Sequence, residues 1–225
     1  MKMTWTIPLA GALLAVATPV AAQTVWTDWS AFSAGAPGSA SGTLNAVGVS
    51  YAGQVLGNSV VNGSAAGLWA PSTSFIGGTV TTSPSTVGDM ITLNGTSTAL
   101  NVLTFSAPVT NPVFAIWSLG QPGLQASFTF DAAPTLQVGG PNANYGGQSV
   151  SVLGNTVSGF EGNGVVQFNG SFTSISWTNT PEHYYGFTVG TAGTTPPIPE
   201  PSTWALLAGG IAALGLARRR RSAAS

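Results

Sequence analysis

Short segments with an every-second-residue apolar pattern constrain this chain more than any other feature. Between Gln23 and Gly190 no helical period is present, and apolar residues alternate with Ser, Thr, Gly and Asn in stretches bounded by turn signals. Val47, Val49 and Tyr51 show the pattern, with Gly48 and Ser50 between them. This period of two is typical of strands that bury one face. An all-β body is therefore predicted.

One segment departs from the alternation. Residues Val113 to Trp117 are all apolar, which predicts a central strand covered on both faces. Together with the alternating segments, it favours two packed antiparallel sheets in a sandwich or jelly-roll-like arrangement. The side chains expected in the shared core are Trp117, Phe128, Phe130, Phe168, Ile175, Trp177 and Phe187.

Asn-Gly pairs supply the strongest local turn signals. Such pairs favour the left-handed backbone of two-residue hairpin loops. The clearest hairpin is predicted between Phe168 and Phe172. The pairs occupy positions 62–63, 94–95, 163–164 and 169–170.

The basic residues lie only at the two ends of the chain. They are Lys2 and the run Arg218, Arg219, Arg220 and Arg221, while the region between carries acids but no Lys or Arg. A nucleic-acid-binding surface needs clustered basic side chains, so binding to DNA or RNA is excluded. The chain has no cysteine, which excludes disulfides and cysteine zinc sites.

The first 22 residues have the composition of a secretory signal peptide. Lys2 precedes an apolar stretch from Ile7 to Val16, and small residues lead to a cleavage site between Ala22 and Gln23. Signal peptidase is therefore an expected partner. The alternative interpretation is a buried N-terminal helix.

The other end has the order of a membrane stop signal. A linker at 191–198 leads to an uncharged stretch from Ser202 to Ala217, which predicts a transmembrane helix of marginal length. The four arginines after it favour a cytoplasmic end. A permanent single-pass anchor is one interpretation of this tail.

A more specific interpretation comes from residues 199–225. This segment contains Pro199, Glu200 and Pro201, then Trp204, the apolar stretch and the cluster Arg218 to Arg221. Their order and spacing resemble the PEP-CTERM sorting signal in its PEPxxWA form. The resemblance implies a Gram-negative bacterium and an exosortase that recognises the tail. It also implies a precursor anchored in the inner membrane and a final place at the cell surface or in an exopolysaccharide matrix. The predicted β-sandwich domain then spans residues 23–190.

Few residues of the body suit binding or catalysis. Glu182, Tyr184 and Tyr185 combine aromatic rings with a hydrogen-bond acceptor and are the candidate glycan contacts. The alternative is that these rings only pack at the edge of the sandwich. Asp131, Glu161 and Glu182 are candidates for calcium, although no Asp-x-Asp-x-Asp loop occurs, and solvated turn carboxylates are the alternative.

No catalytic residues and no cofactor are predicted. His183 is the single histidine, and no Gly-x-Ser-x-Gly motif is present to form a nucleophile elbow. The sequence therefore favours an exported, non-enzymatic protein with a structural or adhesive role in exopolysaccharide or biofilm. A carbohydrate-binding module is the first alternative and an extracellular hydrolase the second.

Overall fold

A computed structural model describes residues 23–63, 67–85, 88–143 and 147–192. The predicted signal peptide, most of the linker and the predicted transmembrane helix and sorting signal lie outside these ranges. Among the described residues, no helix is long and apolar enough to span a membrane. The described helical structure is one 3-10 turn, Ser72–Ser74.

Fourteen strands make up the described region. Their order along the chain is β1 Val25–Trp26, β2 Asp28–Ser33, β3 Gly35–Leu44, β4 Val47–Val55, β5 Ile91–Leu93, β6 Asn101–Thr110, β7 Pro112–Leu119, β8 Ala126–Phe130, β9 Pro134–Gly139, β10 Ser151–Leu153, β11 Thr156–Gly159, β12 Gly162–Phe168, β13 Ser171–Asn179 and β14 Tyr185–Thr191.

The strands form two antiparallel sheets, which confirms the predicted all-β sandwich. The larger sheet has the order β10-β11-β8-β13-β6-β4-β3-β2. The smaller has the order β1-β14-β7-β12-β9, with β5 also paired to β14. From β6 onward, every connection except β10–β11 carries the chain from one sheet to the other. Neighbouring strands within a sheet are therefore mostly distant in sequence.

The main core lies between the sheets and is rich in aromatic rings. Phe114 of β7 stacks on Phe187 of β14 at 4.8 Å between ring centroids, and it meets Trp177 of β13 edge-on at 5.1 Å. All seven side chains predicted for the core are at most 2% exposed. Burial is confirmed for all seven, and a place in the main core is confirmed for the six other than Trp117.

Trp117 belongs to a second apolar cluster rather than to the main core. Val113, Ala115 and Trp117 of β7 pack with Trp69 and Phe75, which come from the segment between β4 and β5. The alternate residues of β7 contribute to the main core. The whole of β7 is buried for this reason, and the predicted central strand is confirmed.

The hairpin predicted at 169–170 is wrong. The strand before this pair, β12, lies in the smaller sheet, and the strand after it, β13, lies in the larger one. The pair at 163–164 is also no turn, because both residues lie within β12. Two observed hairpins use other residues: Asn45, at φ 54°, starts the loop between β3 and β4, and Gly154, at φ 60°, starts the loop between β10 and β11.

Candidate functional site

A cleft of about 330 Å³ contains two of the described carboxyl groups and the single histidine of the chain. Three segments form it: the end of β7, the turn that enters β12, and the loop between β13 and β14. Its lining residues are Ser118, Gly120, Gln121, Glu161, Glu182, His183 and Tyr184.

Two of these residues hold a backbone conformation that side chains disfavour. Ser118 has φ 57° and Glu161 has φ 58°, both in the left-handed region. The Oγ of Ser118 donates to Oε2 of Glu161 at 2.6 Å. Backbone strain of this kind persists only where surrounding contacts fix it, and it is concentrated at functional sites.

Asn163 provides the contacts that fix this strained pair. It is 0% exposed, its Oδ1 accepts the backbone N–H of Ser118 at 3.0 Å, and its Nδ2 donates to the carbonyl oxygen of Glu161 at 3.0 Å. One buried amide therefore joins the two strained residues. Sequence reasoning missed both Ser118 and Asn163. The available signal was a polar residue between Gly162 and Gly164, which was interpreted as a turn.

The second carboxyl group of the cleft, that of Glu182, is half-buried. Burial, and after it the charge of Glu161, raises the pKa of Glu182 from 4.5 to about 8, although the backbone N–H of Gly120 donates to the carboxyl group and opposes the change. Its Oε1 is buried and has no hydrogen-bond partner. At neutral pH the Glu182 carboxyl group is therefore mostly protonated and can donate a hydrogen bond.

No Lys or Arg occurs among the described residues, because all five lie at positions 2 and 218–221. The acids of the cleft therefore have no strong cation of the chain beside them in the part that is described. A proton on Glu182 is the available way to reduce repulsion between the two carboxyl groups.

Aromatic rings form one wall of the cleft. Tyr184 packs on Trp117 with ring centroids 5.9 Å apart, and His183 lies 6.0 Å from Tyr184. His183 is exposed and Tyr184 is half-buried. A half-buried ring beside hydroxyl, amide and carboxyl groups can bind a polyhydroxylated ligand, since its face covers C–H groups while the polar atoms bind hydroxyls.

The structure separates the three predicted glycan contacts. Glu182 and Tyr184 line the cleft, and their contact with a glycan stays a prediction. Tyr185 does not line the cleft: it is 0% exposed, and its hydroxyl donates to the carbonyl oxygen of Thr180 at 3.1 Å. The prediction of a surface contact is wrong for Tyr185, because alternation along β14 directs its side chain into the core.

The three calcium candidates do not converge. Glu161 and Glu182 share the cleft, whereas Asp131 is an exposed acid that accepts a hydrogen bond from Ser176 Oγ at 2.8 Å. Across the described ranges, no group of three or more His, Cys, Asp or Glu side chains is placed to hold a metal ion.

The comparisons with known proteins concern the tail. The family model for the PEP-CTERM protein-sorting motif matches residues 197–221, which contain Pro199, Glu200, Pro201, Trp204 and the four arginines. The resemblance is confirmed, and the motif indicates an exported protein that an exosortase handles. Searches of curated proteins and of solved structures returned no significant match.

Proposed function

From the premise that residues 197–221 form a PEP-CTERM protein-sorting motif, we propose that the chain is an exosortase substrate displayed at the cell surface or in an extracellular matrix. A signal peptide ending at Ala22 starts export, and a transmembrane helix before Arg218 holds the precursor in the inner membrane. The sorting motif is the observation that carries this proposal. The absence of Lys and Arg between the two ends supports it, since basic residues next to a membrane segment hold that side in the cytoplasm.

In this proposal the sandwich is a structural or adhesive module and not an enzyme. Strand β9, at one edge of the smaller sheet, illustrates its outer surface, because its exposed positions carry Thr135 and Leu136 rather than charged residues. Edge strands are normally protected by charged side chains, and neutral edges favour association with other chains or with polar polymers. Exopolysaccharide is the proposed polymer for such a surface, because the resemblance to the sorting signal implies a host that makes it.

The cleft favours a second candidate, a carbohydrate-binding module. Its volume of about 330 Å³ lies at the small end of ligand pockets, which suits one sugar unit. Tyr184 supplies a ring for the sugar face, and the carboxyl groups of Glu182 and Glu161 supply a donor and an acceptor for hydroxyl groups. The raised pKa of Glu182 also suits a general acid. Hydrolysis is less favoured because the Oε1 atom of Glu182 is buried away from the cleft's solvent.

Sorting is tested in the native host by replacing one motif residue. Glu200→Ala is compared with Ser202→Ala, which changes a variable position of the same PEPxxWA segment. We expect the wild type and Ser202→Ala to reach the surface or matrix fraction, and Glu200→Ala to stay in the membrane fraction with its tail. Equal distribution of the three proteins would refute exosortase sorting.

Carbohydrate binding is tested separately by retention on purified exopolysaccharide. Tyr184→Ala should lower retention at least about tenfold, the loss expected when a stacked ring worth roughly 1.5 kcal/mol is removed. Leu153→Ala, at an 86% exposed site on β10, is the control and should not change it. If Tyr184→Ala is retained as strongly as the wild type, the cleft is excluded as the carbohydrate-binding site. Turnover of a glycan panel that Glu182→Gln abolishes would favour the hydrolase.

A further inference from the structure

The Asn-Gly pairs of the chain are chemically the most fragile points of its backbone. Asparagine loses its side-chain amide most readily before glycine, because glycine has no side chain to shield its backbone nitrogen. The pairs lie at 62–63, 94–95, 163–164 and 169–170, all within the described residues. Those at 62–63, 94–95 and 169–170 lie outside the strands, where deamidation is least hindered.

Deamidation has a strict geometric requirement. The backbone nitrogen of the glycine attacks Cγ of the preceding asparagine, a new C–N bond forms, the nitrogen gives its proton to solvent, and the side-chain nitrogen leaves as ammonia. Water then opens the succinimide ring and leaves aspartate or isoaspartate. The glycine peptide plane must turn toward the asparagine side chain for this attack. A hydrogen bond from the glycine N–H to a fixed acceptor opposes both the turn and the loss of the proton.

In all three turns a side-chain oxygen from a distant segment accepts the glycine N–H. Gly63 donates to Oδ1 of Asp89 at 2.7 Å, Gly95 to Oε1 of Gln54 at 2.8 Å, and Gly170 to Oδ1 of Asn111 at 2.9 Å. The acceptors lie 26, 41 and 59 positions away from their glycines in the sequence. They therefore reach the turns only in the folded chain.

The asparagine side chains of the same turns are held as well. Asn62 Nδ2 donates to the carbonyl oxygen of Ser30 at 3.1 Å, Asn94 Oδ1 accepts from Thr96 Oγ1 at 2.7 Å, and Asn169 Oδ1 accepts from Gln167 Nε2 at 2.6 Å. Rotation of Cγ toward the glycine nitrogen breaks this second bond. The fourth pair, at 163–164, lies within β12, which is paired with β7 on one side and β9 on the other.

We propose that the side-chain oxygens of Gln54, Asp89 and Asn111 protect the Asn-Gly turns of the folded chain from deamidation. Each acceptor protects its own turn, so removal of one acceptor exposes one turn, whereas unfolding exposes all three. At 169–170 the protection also preserves the link between the two sheets, because isoaspartate would lengthen the backbone there and add a charge.

Asn111 allows the sharpest test, because its φ of 49° is a conformation that glycine adopts freely. Asn111→Gly keeps the backbone hydrogen bond to the carbonyl oxygen of Gly170 but removes the side-chain acceptor. Asn111→Asp keeps an oxygen at Oδ1 and is the matched control. The full-length wild type and both variants are incubated in mildly alkaline buffer, with and without urea, and isoaspartate is measured by mass spectrometry. Chymotrypsin is the suitable protease, because no Lys or Arg lies between positions 3 and 217, and cleavage after Phe168 and Phe172 releases residues 169–172.

We expect Asn169 to deamidate about tenfold faster in Asn111→Gly than in the wild type, the factor that a hydrogen bond of ordinary strength supplies. Asn111→Asp should keep the wild-type rate. Asn62 and Asn94 are internal controls, and their rates should not change in either variant because their own acceptors are intact.

Two results would overturn the proposal at Asn111. One is an equal rate at Asn169 in Asn111→Gly and Asn111→Asp. The other is a faster rate at all three asparagines in Asn111→Gly, which would mean that loss of the fold, and not of one acceptor, exposes the turn. A third measurement needs no variant: equal rates for the native wild type and the wild type in urea would show that the folded chain gives these turns no protection.

Discussion

Replacing Glu182 by Gln should change the pH dependence of stability in a defined direction. The folded state raises the pKa of this carboxyl group from 4.5 to about 8, so the folded state holds a proton that the unfolded chain has already released. The wild type is therefore most stable below pH 4.5 with respect to this group, and its stability falls as pH rises to about 8. Glutamine has nearly the shape of the protonated glutamate side chain but cannot ionise, so the substitution removes this pH dependence.

The magnitude follows from the same pKa values. A change from 4.5 to about 8 corresponds to at most about 5 kcal/mol, at 1.36 kcal/mol for each tenfold change in proton affinity. Because the carboxyl group is only partly buried, solvent screening reduces this figure, and we expect about 1–2 kcal/mol. Glu182→Gln should match the wild type near pH 4 and exceed its free energy of unfolding by that amount at pH 9.

Urea unfolding followed by tryptophan fluorescence, repeated from pH 4 to pH 9, measures this difference. Glu161→Gln is the matched control: it removes the second cause of the raised pKa but leaves burial, so the fall in stability should remain and become smaller. Parallel curves for the wild type and Glu182→Gln would refute the electrostatic description of the cleft. A variant that is less stable than the wild type at pH 9 would refute it too.

Three further predictions concern the fold. Phe114→Ala removes a ring that contacts four aromatic neighbours and should lower the free energy of unfolding by about 3–5 kcal/mol in urea titrations. Gly120 and Gly123 share φ 82°, but an added Cβ would meet the carbonyl oxygen of Gly159 at Gly120 and open space at Gly123. Gly120→Ala should therefore lower the free energy of unfolding by at least about 2 kcal/mol more than Gly123→Ala. Equal losses in the two variants would contradict the observed close approach. Tyr51→Phe deletes the hydroxyl that donates to Oδ1 of Asn101 at 2.6 Å and should lower the free energy of unfolding by about 1–2 kcal/mol in the same titrations. An unchanged free energy of unfolding would contradict the presence of this buried hydrogen bond.

The strands could be predicted from the sequence because alternation is local information. Leu103 and Phe105 on β6, and Phe128 and Phe130 on β8, are buried as their period of two requires. Which strands pair could not be predicted, since nearly every connection after β6 crosses to the opposite sheet. The burial of Tyr185 was not predicted: its alternation with Phe187 indicates a buried position, but its aromatic hydroxyl favoured a surface role.

The turn at 169–170 shows where local signals fail. An Asn-Gly pair favours a reversal of the chain but does not specify the strand that follows. Here Gly170 accepts the backbone N–H of Asn111 at 2.7 Å and donates its own to Asn111 Oδ1 at 2.9 Å. Two crossovers between the sheets are thus bonded to each other, and this long-range contact replaces the predicted hairpin.

The candidate sites were predictable only in part for the same reason. Glu182 and Tyr184 are neighbours in sequence, so their shared cleft was accessible to sequence reasoning. Ser118 and Glu161 meet because β7 and β12 pair, although the two residues are far apart in the sequence. No local sequence pattern predicts a contact between residues this far apart. The chain also has few charged residues, so no run of acids indicates where such a contact forms.

Intact-mass analysis of the protein from its native host shows whether the two ends of the chain direct the sandwich out of the cell. We expect a mature chain that begins at Gln23 and lacks Arg218 to Arg221, and we expect that deleting the host's exosortase restores the arginines. A polypeptide running from Met1 to Ser225 in the cytosolic fraction, with the exosortase present, would contradict it.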